Sequence, residues 1–382
     1  MQTTAAVVRT IGGKLDFEQV TLDGPRPDEI LVELVAVGVC HTDLATIAGT
    51  LPFPMPGILG HEGSGLVREV GSDVTKVKPG DRLAVSFASC GDCVACLAGE
   101  PAYCHSFMAL NYAGVRPDGS SVASDSGGAV GSSFFGQSTF ATHEITKERN
   151  VVIVPEEFPL ERAGPLGCGI QTGAGAVMRS FAAPAGSSIV VLGGGSVGLS
   201  AVLGAVVQGC TTIIVVEPVA SRRELALSIG ATHAIDPAAG AVEEQVRAIV
   251  ADGVNFAFDT TGIPAVLTSA LNSLGNQGVL GLVAIPSDPD SVLALPLIQS
   301  IILGVTVKGI VEGDSDPDVF IPELMSLYLA GRFPFDKLVT TMPFSDINKG
   351  IEAQHDGSAI KVVLVHLAAD PWPRRLLRPR IS

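Results

Sequence analysis

Positive charge is scarce in this sequence. Lys and Arg total 24 against 39 Asp and Glu, for a formal net charge of -15. Such a chain lacks the basic face that nucleic acid or an anionic membrane surface requires, so neither is expected as a partner. Aromatic residues make up only 5%, with a single Trp, and charged residues of both signs only 16%. Disorder is nevertheless excluded, because 47% of the residues are hydrophobic. The nearest approach to a membrane span, Ser187 to Glu217, is broken at Gly193–Gly195 and again at Gly209–Thr212. It falls short of the ~20 continuous apolar residues a span needs. It reads instead as strand, helix and strand buried in a parallel sheet. The first residues, MQTTAAVVRTIGG, lack a charged segment followed by an apolar one, so no signal peptide and a cytoplasmic location are expected. Glycine is plentiful, 44 of 382 residues, but without the three-residue period of collagen. The length predicts two or three domains.

Seven cysteines stand in a chain expected to remain in a reducing compartment, which favours metal over disulfides. Cys90, Cys93, Cys96 and Cys104 form C-x2-C-x2-C-x7-C. Four thiolates this close can surround one tetrahedral ion and leave no position open, as in a structural zinc site. An iron–sulfur cluster would take the same four ligands. Cys40, in V-C-H-T-D, ends the alternating run from Glu29 to Val37, and Cys168 lies in the glycine-flanked turn L-G-C-G-I-Q. Cys210 reads as inert packing. His61 lies in G-H-E-x-x-G ahead of a strand from Leu66 to Val70, a close-packed turn suited to a ligand. His233 is read on a surface turn, and His355 as a solvated residue after a helix.

Ser188 to Leu192 reads as a buried strand. Gly193-Gly194-Gly195-Ser196-Val197-Gly198 supplies G-x-G-x-x-G, and Ser196 to Gln208 the following helix. A second strand, Thr212 to Val216, ends in Glu217. An acid there bonds the adenosine ribose hydroxyls and repels a 2′-phosphate, which predicts NAD over NADP. Strands from Phe256, Gly278 and Val305 continue the alternation.

Taken in order, G-H-E-G-S-G-L-V-R-E-V-G, V-K-P-G-D-R-L, C-G-D-C-V-A-C and G-G-G-S-V-G-L resemble the zinc-dependent medium-chain alcohol dehydrogenases. The resemblance runs from about residue 4 to 366. V-C-H-T-D-L, F-A-S-C-G-D-C and C-G-I-Q-T-G-A-G-A-V most resemble the benzyl-alcohol, or aryl-alcohol, branch. It implies an α/β protein: a GroES-like, β-rich catalytic domain over 1–169, completed by 311–366, and a doubly wound Rossmann domain over 170–310. It implies two zinc ions per chain. One is catalytic, on Cys40, His61 and Cys168 with one position open; the other is structural, on Cys90, Cys93, Cys96 and Cys104.

The same resemblance assigns roles. Glu62 lies behind the metal, as a support for its ligands or as a transient ligand itself, and Asp43 fixes the His61 tautomer. Thr42 starts the proton relay, whose usual terminal His is Ala45 here. His41 and Lys361 contact the pyrophosphate, and Thr172 packs near the nicotinamide. Gly193, Gly195, Ser196, Val197, Gly198, Glu217 and Arg222 complete the NAD site. Leu51, Phe134, Phe135, Ala284 and Val311 line the substrate pocket, with Ser86 and Phe87 ambiguous. Side chains of neighbours on a strand would point opposite ways, so one of the two phenylalanines is expected in the core. The Gly- and Ser-rich stretch from Gly114 to Gly136 is read as an adjustable loop.

The implied reaction is reversible oxidation of a primary, aromatic or bulky apolar alcohol to its aldehyde, by a homodimer or homotetramer. A glutathione-linked formaldehyde-type dehydrogenase and a non-catalytic family member are the alternatives. The segment 367–382 carries Arg374, Arg375, Arg378 and Arg380 against Asp370, and its alternatives are a disordered extension without a role and docking on the acidic surface of its own or a neighbouring subunit.

Overall fold

The computed structural model describes residues 1–366. The arginine-rich segment 367–382, and with it the docking expectation, lies outside the described residues.

Runs of β-branched residues with no polar face are stable as strands only when covered on both sides. Ser188–Leu192 and Thr212–Val216 are such runs, and they are central strands of a six-stranded parallel sheet. The sheet is completed by His233–Ile235, Val254–Asp259, Leu274–Leu282 and Thr306–Gly309. Numbered by sequence, the spatial order is 3-2-1-4-5-6, the doubly wound dinucleotide-binding arrangement. His233 therefore opens an edge strand rather than sitting on a turn, because Ile214 pairs with it.

The remaining residues build two antiparallel-rich sheets around separate apolar clusters. At the centre of one, the strand Glu29–Gly38 pairs with Gly63–Val70 along one edge. Its other edge carries His143–Lys147 and the last strand, Lys361–Val365. The chain thus returns after the parallel sheet to finish the fold it began. The stretch from Gly114 to Gly136, expected as a loop, contains a hairpin, Ala123–Asp125 with Gly128–Val130. Its first strand joins Leu15–Leu22. Arg116, held by Glu29 and Asp23, pins the approach to this hairpin.

Glu144 is an anomaly of this core. It lies opposite Val32, is 1% exposed, and among the described residues neither carboxylate oxygen has a hydrogen-bond partner. Burial pushes its pKa up to about 8. A carboxyl with a raised folded-state pKa contributes full stability below its unfolded pKa and loses it as pH climbs through the folded one. Stability should therefore fall between roughly pH 5 and 8. Glu144→Val is expected to raise the melting temperature by about 2–5 °C at pH 8 and by much less at pH 5. Thermal melts of both proteins at the two pH values check this; an equal gain at both would assign the effect to packing.

Candidate active site

The strand Glu29–Gly38 ends two residues before Cys40, and the helix His41–Ile47 starts just after it. Cys168 immediately precedes the helix Gly169–Gly175. His61 enters from the turn before Gly63–Val70. The Cys40 and Cys168 sulfurs are 4.0 Å apart. With His61 and Glu62 they form a buried group of potential ligand atoms, all within 4.8 Å of one another.

Asp43 organises this cage from below. Fully buried, it accepts from the Cys40 N–H at 2.9 Å and from the Gly60 N–H at 3.0 Å, and it holds His61 Nδ1 at 3.0 Å. Gly60 has φ 86°, and a side chain there would strike Phe140, so glycine is required for this approach. With Nδ1 committed, His61 Nε2 is left buried and, among the described residues, without a hydrogen-bond partner, facing the two thiols. Cys40 is drawn well below the ordinary thiol range, first by its hydrogen bond with Cys168 and further by His61. The same contact pushes Cys168 up. Two adjacent thiols cannot both ionise unless a cation joins them. An orphaned imidazole nitrogen aimed at them is the donor set a zinc ion fits.

The sequence expectation for Phe134 and Phe135 assumed a strand. They occupy a tight turn instead, with Phe135 at φ 55°. Phe135 stacks on the His61 ring with centroids 4.5 Å apart and lines the cavity beside the ligands. Phe134 meets the ring edge-on at 5.4 Å and belongs to the core, not to the cavity. Leu51, Ala284 and Val311 line that cavity of about 410 Å³, with Thr42, His41 and Thr172. Of the ambiguous pair, Ser86 is buried and donates to the Gly167 carbonyl, while Phe87 packs on Phe107.

The glycine turn shows why its residues are small. A Cβ on Gly198 would lie 1.9 Å from the Gly193 carbonyl oxygen, and one on Gly193 would strike Thr260. Gly195 is different: its Cβ would meet nothing, leaving open space before the first turn of the helix Ser196–Gln208. A helix N-terminus behind an open glycine is a cradle for phosphate. Ser196 and Val197 begin that helix. Glu217 is buried at the end of the second strand, taking the Gly194 N–H at 2.7 Å and the Val219 N–H at 2.9 Å. Arg223 pairs with Asp236, whereas the Arg222 guanidinium lies against Gly357.

In the second cluster, the Cys104 and Cys90 sulfurs lie 3.4 Å apart and those of Cys90 and Cys96 3.9 Å apart, with Cys93 completing the set. Backbone N–H groups of Cys90, His105 and Ser106 point at these sulfurs. Cys93 is lowered to about 6 by backbone N–H groups, Cys96 first, while Asp92 pushes Cys90 up to about 12. Sulfurs supplied with N–H donors suit a thiolate-bound cation.

These features coincide with those of known proteins. Residues 26–156 match the alcohol dehydrogenase GroES-like domain, and residues 196–329 the zinc-binding dehydrogenase family. Geraniol dehydrogenase of Castellaniella defragrans is 46% identical over 363 residues, 94% of this chain and 97% of that protein. The chain belongs to the zinc-dependent medium-chain alcohol dehydrogenases. Benzyl alcohol dehydrogenase from Acinetobacter calcoaceticus superposes with a TM-score of 0.93 at 39% identity, covering 96% of this chain and all of that one. An alcohol dehydrogenase zinc-binding domain protein from Burkholderia ambifaria gives 0.93 at 44% identity, covering 96% and 99% of the two chains. The family implies both zinc and NAD.

One expectation carried over from the family does not suit this dehydrogenase. Lys361 was assigned to the pyrophosphate, but it is fully buried, and its Nζ donates to both Glu62 oxygens, at 2.7 and 2.8 Å, and to the Val39 carbonyl at 2.9 Å. Three donors are thereby used, leaving none for a phosphate in this geometry. Gly38 makes room, since a Cβ there would lie 1.9 Å from Glu62 Oε2. Lys361 stays cationic because Glu62 faces it, in spite of burial. Sequence reasoning also missed Glu312. This buried acid lines the cavity, with Oε1 3.5 Å from Cys168 Sγ. Burial pushes its pKa up to about 7. Its signal was an acid set between Ile310-Val311 and Gly313, just past the carboxyl end of the parallel strand Thr306–Gly309, where ligands gather in such folds.

Proposed function

We propose that this alcohol dehydrogenase reversibly oxidises a primary, aromatic or bulky apolar alcohol to its aldehyde with NAD. In this reading Cys40, His61 and Cys168 hold a catalytic zinc, and Cys90, Cys93, Cys96 and Cys104 hold a second, structural one. The observation that carries the substrate class is the cavity over the ligand cage: Leu51, Phe107, Met108, Phe135 and Val311 surround the two cysteines. Aromatic and aliphatic walls bind a bulky apolar group by burial and exclude water from the reacting carbon. Geraniol and benzyl alcohol, named for two relatives, are such alcohols. No Lys or Arg lines this cavity among the described residues, which favours a neutral substrate over a glutathione adduct.

Zinc, when bound, supplies a Lewis acid that eases loss of the hydroxyl proton, and NAD supplies the hydride acceptor. The chain's own residues do the positioning. Thr42 Oγ1 lies 3.7 Å from Cys40 Sγ, within reach of a hydroxyl at the cage, and is the first proton carrier. Ala45 lines a second cleft of about 930 Å³ with His41, so the proton leaves through this opening by way of water or His41. Thr172 and Val197 also line the cavity, and in this reading the nicotinamide packs against them. The working form is a homodimer or homotetramer. Ile298 and Ile301, 76% and 79% exposed on the helix Leu297–Leu303, provide apolar surface for that contact.

The test is a kinetic panel of benzyl, cinnamyl, terpenoid and straight-chain alcohols, run with NAD and NADP on the native enzyme and on Glu217→Ser. NAD should win by at least about 100-fold in kcat/KM, because like charges brought together cost several kcal/mol. Glu217→Ser should narrow that gap by about tenfold or more, since it removes the repelling charge and frees the Gly194 and Val219 N–H groups. Equal use of both cofactors by the native enzyme would sink the NAD assignment, and a preference for short straight chains would sink the substrate class.

A further inference from the structure

Two buried carboxylates flank the ligand cage, and they are held very differently. Glu62 is saturated: Lys361 bonds both of its oxygens, and the Gly169 N–H adds a third contact at 3.0 Å. It lies behind the cage and does not line the substrate cavity. Glu312 is loosely held. Oε2 takes only long contacts, 3.3 Å from Gln171 Nε2 and 3.4 Å from Thr172 Oγ1, and Oε1 faces Cys168 Sγ at 3.5 Å. It lines the cavity on the same side as Cys40 and Cys168.

The distances suit a shared cation. With Zn–S of ~2.3 Å and Zn–O of ~2.0–2.2 Å, tetrahedral ligands stand about 3.8 Å apart for two sulfurs and about 3.5–3.6 Å for sulfur and oxygen. The Cys40 and Cys168 sulfurs stand 4.0 Å apart, and Glu312 Oε1, outside the group that Glu62 joins, stands 3.5 Å from Cys168 Sγ. The backbone supports a purpose for this placement. Glu312 has φ 50°, in the left-handed region that costs a non-glycine residue energy, and Gly313 and Asp314 continue at 69° and 51°. Such conformations persist where a site needs a side chain aimed in one direction.

We propose that Glu312 is a displaceable fourth ligand of the metal held by Cys40, His61 and Cys168. In the resting enzyme it closes the coordination shell, and it gives way when an alcohol occupies the cavity. Two thiolates neutralise a divalent ion; a carboxylate added to them makes the site anionic and weakens its pull on an alcohol oxygen. Productive binding therefore requires Glu312 to leave, which ties activation of the metal to filling of the cavity. This rests on the reading that zinc occupies this cage.

Cobalt(II) exchange tests it, with the spectrum of Cys168→Ala subtracted to remove the four-cysteine site. Glu312→Gln should change the positions and intensities of the cobalt d–d bands. It should also lose the metal to a chelator at least about tenfold faster than the native enzyme. Glu312→Asp, one methylene too short to reach, should behave likewise and keeps the test open should the glutamine variant fold poorly. Superimposable spectra and equal loss rates in both variants would overturn the proposal. Equal metal content in native enzyme and Cys168→Ala would instead overturn the zinc reading itself, and the proposal with it.

Discussion

Cys168→Ala is expected to lower kcat/KM by at least about 10³-fold while leaving the melting temperature within a few degrees of native. The asymmetry follows from where Cys168 sits. In the proposed reading it supplies one of two thiolates to the cage but little packing, since alanine retains its Cβ and the helix Gly169–Gly175 behind it is buried throughout. Without this thiolate the cage keeps Cys40 and His61, too few ligands to hold zinc at a working affinity. Half of the thiolate charge that neutralises the ion is lost as well. Metal analysis should show one zinc per chain instead of two. Native zinc content in an inactive Cys168→Ala protein would mean that the cysteine acts otherwise than as a ligand.

The second large effect is on stability rather than turnover. The helix Val94–Leu97 is a single turn, and its Val94 and Leu97 side chains are each 75% exposed. Apolar burial contributes little to this lobe, so in the proposed reading an ion joining its four sulfurs holds it. Cys96→Ala is expected to release that ion and lower the melting temperature by about 5–10 °C, with rapid proteolysis near residue 95. Limited proteolysis with zinc analysis checks it. A fully stable but inactive Cys96→Ala protein would exchange the roles assigned to the two metal sites.

Much of the site was legible because its chemistry is local in sequence. The spacing of Cys90, Cys93, Cys96 and Cys104 places four sulfurs in one loop, whatever surrounds them. Gly193 to Gly198 announces its strand and helix because a turn packed against Gly193's carbonyl tolerates no side chain at Gly198. What stayed hidden depends on contacts between distant segments. Glu312 meets Cys168 across 144 residues, and nothing near Glu312 in the chain names that partner. For Phe134 and Phe135 the division between cavity and core has a different origin from the one expected. The alternation of a strand was assumed, but Ser133 and Phe135 adopt positive φ, and the turn aims both rings at His61. The hairpin from Ala123 to Val130 hid inside a Gly- and Ser-rich stretch, since short edge strands leave almost no period to read. Glu144 was invisible as a buried acid because a glutamate in a strand ordinarily faces water.

The pair between Glu62 and Lys361 spans 299 residues, joining an early turn to the last strand described. Removing one member of a buried ion pair costs about 3–5 kcal/mol, because the other is left charged in a dry interior. During synthesis the parallel-sheet domain emerges whole before Lys361 does, and domains of this kind fold as units. The catalytic cage cannot: until residue 361 arrives, Glu62 has no counter-charge beside the ligands. A chain cut short between residues 340 and 360 would therefore carry the parallel-sheet domain, with the core residues Phe320 to Leu338 that pack on it, beside an unfinished ligand cage. Premature termination within that interval should yield a folded remnant without chemistry, not a weakened enzyme.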